Sequence, residues 1–296
     1  MNMKATAKLR LLLAKDEAII APCAYDALSA CAIECAGFSM MGTTGYGLHG
    51  AILGTPDNGE LSFKEMLDAV GNITAATQLP VLADAEGGYG GVLNTVRTVR
   101  AFERAGAAGL FLEDQRFPPN CPFIKQTEVI SVEEMCEKIR AAVNTREDPD
   151  FIIVARSDAP FEEAVQRAEE YRKAGADMIK IVPKTKAELE KIPELVNAPL
   201  HLGFMSNKEI NKGITAYDAA KMGYKIITFP MTSLFAACFA MEQALGELRR
   251  TGTDEGMALQ MLTFEQYAQL VHGEKYGELE RQYLNKCRIA KTFKVE

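Results

Sequence analysis

The sequence predicts a (β/α)8 barrel of the TIM type, with one leading helix and a helical C-terminal extension. The first observation is a repeated signal, in which an amphipathic helix ends at a glycine and an apolar strand follows directly. The second is spacing, because Gly37, Gly106 and Gly175 recur at intervals of 69 residues, the length of two βα units. Eight such units fit into 296 residues. The runner-up, an open doubly wound sheet, is disfavoured because eight strands in βα alternation favour closure into a barrel.

The elements follow from short apolar runs bounded by Gly or Pro, and from helical stripes such as Val96, Val99 and Phe102. A leading helix is predicted at 4–15, the barrel within 1–240 and the extension over 241–296, with 231–296 mostly helical. The predicted strands are 18–22, 38–42, 80–84, 109–113, 151–155, 177–182, 200–202 and 226–229. The predicted helices between them are 25–36, 63–78, 93–105, 132–143, 161–174, 186–196 and 217–222. Residues 43–60 are predicted to form a long glycine-rich loop.

Composition narrows the function class. The chain is 48% hydrophobic and 25% charged, with a net charge of −7, and it has no long basic run, so a nucleic-acid partner is not expected. No signal peptide and no membrane-spanning apolar run are recognised, so neither secretion nor a membrane partner is expected. The seven cysteines are scattered without a CxxC pair, which indicates thiols of a cytoplasmic protein.

In a barrel of this type, chemistry lies where the strands end. Asp84 and Glu86 end the third predicted strand, and if the strand continues through both, their side chains share a face and can hold a hard cation or share a proton. Glu113 and Asp114 follow the fourth strand, and Arg156 follows the fifth. Each residue alone is explained by a solvated strand end, but their coincidence on one rim favours a site.

Four stretches identify a family resemblance: LGTPDNGELSFKEML, VLADAEGGYG, NTVRTVRAFERAGAAGLFLEDQ and DFIIVARSDA. In their order and spacing the chain resembles the isocitrate lyase and phosphoenolpyruvate mutase superfamily over most of 18–240. It is most similar to the methylisocitrate lyase and dimethylmalate lyase branch, in which many proteins are labelled carboxyphosphonoenolpyruvate phosphonomutase. The resemblance implies a barrel with a Mg²⁺ site and chemistry on a C–C or P–C bond next to a 2-oxo acid carbonyl. It also implies a homotetramer whose last helix packs on a neighbouring subunit.

The resemblance also implies roles for individual residues. Four acids would hold Mg²⁺ directly or through water, with Mn²⁺ as the alternative ion: Asp57, Asp84, Glu86 and Glu113. A stretch that binds a substrate carboxylate falls on Thr44, Gly45 and Tyr46. Arg156 would face the 2-oxo acid, and Cys121, in a mobile loop after the fourth strand, would give a proton to the departing enolate.

Four positions depart from the family pattern. The second acid of the family's Asp-x-Asp pair is Glu86, one methylene longer, which keeps the charge and shifts the ligand. The lyase loop Lys-x-Cys-Gly-His is replaced by Pro119-Asn120-Cys121-Pro122-Phe123, which keeps only the cysteine. Val182 stands where the family usually has Glu, and Gly203 stands where Asn is common. The half of the site that binds metal and oxo acid is therefore expected to be retained, and the half that recognises the rest of the substrate is expected to differ.

We therefore expect a Mg²⁺-dependent carbon–carbon lyase that cleaves a 2-hydroxy di- or tricarboxylate, of the methylisocitrate or dimethylmalate kind, to release a 2-oxo acid such as pyruvate. Three alternatives remain open at this point. They are a phosphonomutase or phosphonopyruvate hydrolase acting on a P–C bond, an oxaloacetate-type decarboxylase, and a barrel that binds oxo acids without turnover.

Overall fold

Eight parallel strands, β1 to β8, close into a barrel in chain order. The structure is a computed structural model that describes residues 3–122, 124, 127–205 and 208–284. The strands are Ile19–Ala24, Met41–Thr43, Val81–Asp84, Gly109–Glu113, Ile152–Ser157, Met178–Ile181, Leu200–Gly203 and Tyr224–Phe229. The predicted (β/α)8 barrel is confirmed, and all eight predicted strands overlap the observed ones.

Helices surround the barrel and continue after it. In chain order, α1 to α12 are Ala5–Leu13, Ala27–Cys35, Gly45–Leu53, Phe63–Ala75, Val92–Arg104, Val132–Thr145, Phe161–Lys173, Lys186–Leu195, Ala216–Met222, Thr232–Thr251, Phe264–Leu270 and Gly273–Tyr283. Two short 3₁₀ helices are Glu209–Asn211 and Glu255–Gln260. Within the described ranges, no helix is both long and apolar enough to cross a membrane.

The barrel separates two apolar layers. Inside it, Leu82, Phe111, Val154 and Met178 pack with Leu9 of α1. Helix α1 lies at the end where the strands begin, because Arg10 pairs with Asp177, the residue before β6, at 2.8 Å. The opposite end, where the strands finish, is thereby left for the site.

The outer layer is formed by helices packed on the strands. On the predicted stripe of α5, Val99 and Phe102 are fully buried and Val96 is half-buried. The helix-ending glycines that set the repeat adopt positive φ, as in Gly106 at 92° and Gly175 at 104°, a backbone region that disfavours other residues.

The prediction of a loop over 43–60 was wrong in part, because α3 occupies Gly45–Leu53. Five glycines in this stretch favoured a loop, but two of them, Gly45 and Gly47, permit the helix to pack closely. A Cβ at Gly47 would lie 2.7 Å from Cβ of Tyr25. The small residue therefore serves packing and does not break the helix.

Two compact units divide the chain at 236/237. The second unit contains the rest of α10 followed by α11 and α12. Its exposed large apolar side chains include Phe239, Met241, Leu245, Phe264 and Tyr283. The expected boundary at 240/241 and the expected packing of 241–296 on a neighbouring subunit stay predictions, and residues 285–296 lie outside the described part.

Gly109 tests the packing of β4 on β5. It pairs in register with Ile152, and a Cβ there would lie 2.6 Å from the Ile152 carbonyl oxygen. We therefore expect Gly109→Ala to lower the free energy of unfolding by about 1–3 kcal/mol, measured by denaturant unfolding. The control is Gly71→Ala in α4, where nothing lies within 4 Å, and it should raise that free energy by about 0.5–1 kcal/mol. Unchanged stability in Gly109→Ala would contradict this packing.

Candidate active site

A cavity of about 90 Å³ opens at the end of the barrel where the strands finish. Seven of the nine predicted site residues line it: Thr44, Gly45, Tyr46, Asp57, Asp84, Cys121 and Arg156. The other two, Glu86 and Glu113, are buried beside it, and the amide of Glu113 donates a hydrogen bond to the Glu86 carbonyl oxygen at 3.0 Å. Among the residues that depart from the family pattern, Pro122, Val182 and Gly203 also line this cavity. Phe123 of the loop lies outside the described residues.

Backbone amides hold the Asp84 carboxylate in place. Oδ2 of Asp84 accepts a hydrogen bond from the amide of Gly45 at 2.9 Å, and Oδ1 accepts one from the amide of Glu86 at 3.1 Å. The Asp84 amide in turn donates to the Thr43 hydroxyl oxygen at 2.8 Å. The carboxylate is therefore fixed by the ends of two adjacent strands, β2 and β3.

A turn after β3, and not a continued strand, places Glu86 in the site. Strand β3 ends at Asp84, and Glu86 has a positive φ of 49°, so the expectation that a continued strand places both acids on one face was wrong. The turn nevertheless brings the carboxylates together. A Cβ on Gly45 would lie 2.7 Å from Glu86 Oε1 and 3.0 Å from Asp84 Oδ2. A left-handed glutamate is costly, and such strain clusters at functional sites.

Arg156, near the end of β5, lies between two buried acids. Its Nη1 is 2.8 Å from Glu113 Oε2, and its Nε is 2.8 Å from Asp158 Oδ2. Burial opposes the charge, but Asp158 and Glu113 together raise the pKa of Arg156 well above its ordinary value. The guanidinium is thus held charged and oriented at the cavity wall.

Four acids, Asp57, Asp84, Glu86 and Glu113, form what we call the acid cluster. Burial raises the pKa of Glu86 well above its ordinary value, and repulsion from Asp84 and Glu113 adds to the effect. Burial likewise raises the pKa of Glu113 and of Asp57. One buried oxygen of each of these three accepts no hydrogen bond: Asp57 Oδ1, Glu86 Oε1 and Glu113 Oε1. Crowded carboxylates with unpartnered oxygens fit a hard cation that prefers oxygen ligands.

His49 lies beside the acid cluster and was not singled out from the sequence. Its ring offers an atom within 4.8 Å of Asp57 and Glu86 oxygens, a spacing that metal ligands also have. Both ring nitrogens are engaged by the backbone, however, because Nε2 accepts from the Leu61 amide at 3.3 Å. Nδ1 therefore carries the hydrogen and donates to the Gly45 carbonyl oxygen at 2.9 Å. We therefore assign His49 the role of positioning Gly45. The only sequence signal for this role is the spacing of four residues, which places both on one face of α3.

Asp114 supports the structure around the site and is not among the residues that line the cavity. Its Oδ2 accepts hydrogen bonds from the Ser157 and Tyr171 hydroxyls, both at 2.7 Å, and lies 3.2 Å from Arg167 Nη1. The amide of Asp158 donates to Oδ1 at 2.9 Å. Asp114 therefore ties the ends of β4 and β5 to α7 and fixes where Asp158 stands.

Contacts from two sides place the loop that carries Cys121. Gln115 accepts a hydrogen bond from the Asn120 amide at 2.9 Å and donates one to Asp158 Oδ2 at 3.2 Å. From the strand-six side, Lys184 Nζ donates to the Pro122 carbonyl oxygen at 3.1 Å. Cys121 is half-buried at the cavity wall between these two contacts.

Comparison with known proteins places this geometry in a family. The family model for phosphoenolpyruvate phosphomutase matches residues 9–249. A relative, 2,3-dimethylmalate lyase of Eubacterium barkeri, is 37% identical over 290 residues, which cover 95% of this chain and 99% of the relative.

Two solved structures are similar over nearly the whole chain. Oxaloacetate acetylhydrolase in complex with the inhibitor 3,3-difluorooxalacetate has a TM-score of 0.89 and 30% identity, covering 94% of this chain and 97% of the other. Phosphonopyruvate hydrolase in complex with oxalate and Mg²⁺ has a TM-score of 0.87 and 28% identity, covering 96% and 100%. The barrel, the rim of acids and the matched sequence agree: this chain belongs to the phosphoenolpyruvate phosphomutase family, among the lyases and mutases of the isocitrate lyase and phosphoenolpyruvate mutase superfamily.

Proposed function

We propose that the protein is a Mg²⁺-dependent carbon–carbon lyase that cleaves a 2-hydroxy di- or tricarboxylate and releases a 2-oxo acid such as pyruvate. One observation carries the proposal: the Cys121 thiol lines the same cavity as Asp84 and Arg156. A proton donor thus faces the groups that bind the oxo acid. The similarity to a 2,3-dimethylmalate lyase supports this choice among the activities of the family.

The acid cluster is the proposed metal site. Asp57, Asp84, Glu86 and Glu113 would hold Mg²⁺ directly or through water, and Mn²⁺ suits the same oxygen ligands. The three unpartnered carboxylate oxygens support this assignment, and a similar solved structure carries oxalate and Mg²⁺. When bound, the ion supplies a Lewis acid that stabilises negative charge as it develops on an oxygen.

The start of α3 is the proposed site for the substrate carboxylate. The Gly45 amide is engaged by Asp84, so the donors that remain are the Thr44 hydroxyl, which makes no capping bond, and the next amides of the first turn, including that of Tyr46. A helix start favours an anion. Arg156 supplies a fixed positive charge on the opposite wall.

Cleavage then requires one proton movement from this chain to the departing fragment. The substrate C2 hydroxyl becomes the carbonyl of the 2-oxo acid as its proton passes to a carboxylate of the acid cluster, where the pKa values of Glu86 and Glu113 are raised. The bond between C2 and C3 breaks, and its electron pair passes to the departing enolate. The Cys121 thiol donates a proton to C3 of that enolate, a role suited to a group whose ordinary pKa is about 8.5. The loop over the cavity excludes water from the enolate.

The assembly and compartment belong to the same proposal. We propose a cytoplasmic homotetramer in which 241–296 packs on a neighbouring subunit. The row of exposed apolar side chains in that segment, among them Leu245, Phe264 and Tyr283, supports burial against another chain.

Turnover tests the lyase proposal. Protein with Mg²⁺ is incubated separately with 2,3-dimethylmalate and 2-methylisocitrate, and the 2-oxo acid is measured by a coupled reduction. We expect release from at least one of them and a loss of about 100-fold or more in kcat for Cys121→Ala, because the enolate loses its proton donor. The control, Cys35→Ala on the outer helix α2, should retain full activity.

Two outcomes would overturn this proposal. Cys121→Ala with unchanged turnover would remove the thiol from the mechanism. Turnover of phosphonopyruvate, followed by phosphorus NMR, or of oxaloacetate alone would instead select another activity of the family.

The pH dependence of metal binding tests the acid cluster. Because burial and repulsion raise the pKa of Glu86 and Glu113, protons compete with the cation for these carboxylates. Raising the pH removes those protons, so Mg²⁺ affinity should increase between about pH 6 and about pH 8, measured by calorimetry on EDTA-treated protein. Glu86→Gln should weaken binding and flatten this dependence, whereas Glu190→Gln on the exposed face of α8 should not. A pH-independent affinity in the unmodified protein would contradict the assignment.

A further inference from the structure

Lys180 is a buried cation in the cavity to which the lyase mechanism gives no role. It lies on β6 in register with Arg156 and one step above Met178 of the barrel interior. Only 9% of its surface is exposed, yet it lines the cavity together with Cys121 and Arg156. The side chain therefore enters the site from its floor and does not extend into solvent.

No partner neutralises this ammonium group. Within the described part of the chain, Lys180 makes no hydrogen bond or ion pair, and its Nζ lies over the Phe111 ring, 4.1 Å from the centroid. A ring face stabilises a cation but satisfies none of its three N–H donors. A buried ammonium without acceptors is costly, so an acceptor supplied by a ligand would complete the site.

The neighbouring carboxylates are already engaged. Asp84 accepts two backbone hydrogen bonds, and Asp158 pairs with Arg156. His201, on the adjacent strand β7, uses Nε2 toward the Thr228 hydroxyl, and its Nδ1 is buried without a partner. Burial, and then Lys180 and Arg156, lower the pKa of His201 well below its ordinary value, so this ring adds no charge. The net charge of the side chains that β6 and β7 contribute to the cavity is therefore positive.

Space for a ligand lies beside the ammonium group. Gly203 carries no side chain, and a Cβ there would lie 3.9 Å from Lys180 Nζ, at ordinary contact distance. Burial, and then Arg156, lower the pKa of Lys180 to about 8, so the group remains mostly charged at neutral pH. Lys180 is thus a charged donor next to an open wall.

We propose that Lys180 binds a second carboxylate of the substrate, in the space beside Gly203 and His201, and so selects dicarboxylates over substrates with an alkyl group at that place. This inference rests on the proposed function, since it assigns the end of the substrate that does not meet the acid cluster. It makes Lys180 a specificity-determining residue, whose charge is matched only when the substrate is bound.

Binding of three small acids tests the inference. Malate and 2-hydroxybutyrate have the same chain length and differ in that one carries a second carboxylate where the other carries a methyl group. Oxalate, which mimics only the 2-oxo-acid end of the substrate, is included to report on the metal half of the site. Each is titrated calorimetrically into the Mg²⁺-loaded protein. The unmodified protein should bind malate more tightly than 2-hydroxybutyrate by at least about 30-fold.

Variants at position 180 then separate the effect of the ammonium charge from that of the side-chain length. Lys180→Met keeps the length of the side chain and removes its charge, so it should bind malate no better than 2-hydroxybutyrate while oxalate affinity stays within about 2-fold. Lys180→Arg should recover part of the preference for malate. Lys186→Met, exposed at the start of α8, should behave as the unmodified protein does.

Each contrary result overturns a different claim. Equal binding of malate and 2-hydroxybutyrate by the unmodified protein, or a parallel loss of oxalate and malate binding in Lys180→Met, overturns the role of Lys180. Failure of oxalate to bind the unmodified protein overturns the proposed function instead, and a malate preference that still depends on Lys180 would leave the second anion site standing.

Discussion

Repulsion among buried carboxylates is the main physical constraint on the end of the barrel where the strands finish. Asp84, Glu86 and Glu113 come from two adjacent strand ends and are almost fully buried, and burial together with the Asp84 charge raises the pKa of Glu86 and of Glu113. Arg156 neutralises part of this charge through Glu113. Oxygens on three cluster members remain without partners, which leaves a place for a cation. Folding alone gains nothing from this arrangement, which supports the proposal of a bound cation.

The barrel keeps this arrangement in place by fixing its neighbours. Backbone amides hold Asp84, His49 holds the Gly45 carbonyl, and Asp114 holds the strand end that carries Asp158. None of these supports relies on a flexible side chain at the surface. A site assembled from strand ends can therefore store repulsion that an isolated loop would relax. The opposite wall, around Lys180, carries positive charge, which supports the proposal of an anion at that wall and of a metal at the acid cluster.

The sequence predicted the scaffold more closely than the details of the site. The run Gly109–Glu113 was placed to the residue because an apolar strand after a helix-ending glycine has few alternatives. Helix α3 was missed because glycine counts as a breaker unless its close packing is known. Glu86 was expected beside Asp84 for the wrong reason, since a positive φ cannot be read from strand alternation. The contacts of Asp114 join it to residues of β5 and α7 far along the chain, which no local pattern encodes.

The central claim is that the acid cluster and Arg156 form a metal-dependent site for a 2-oxo acid. Calorimetric titration of oxalate, which resembles the enolate of pyruvate, tests it most directly when run with and without Mg²⁺. The account predicts binding that requires Mg²⁺ and is abolished in Asp84→Ala, while Asp68→Ala, on the exposed face of α4, binds normally. Binding that persists without the metal or in Asp84→Ala, or no binding in any condition, would contradict it.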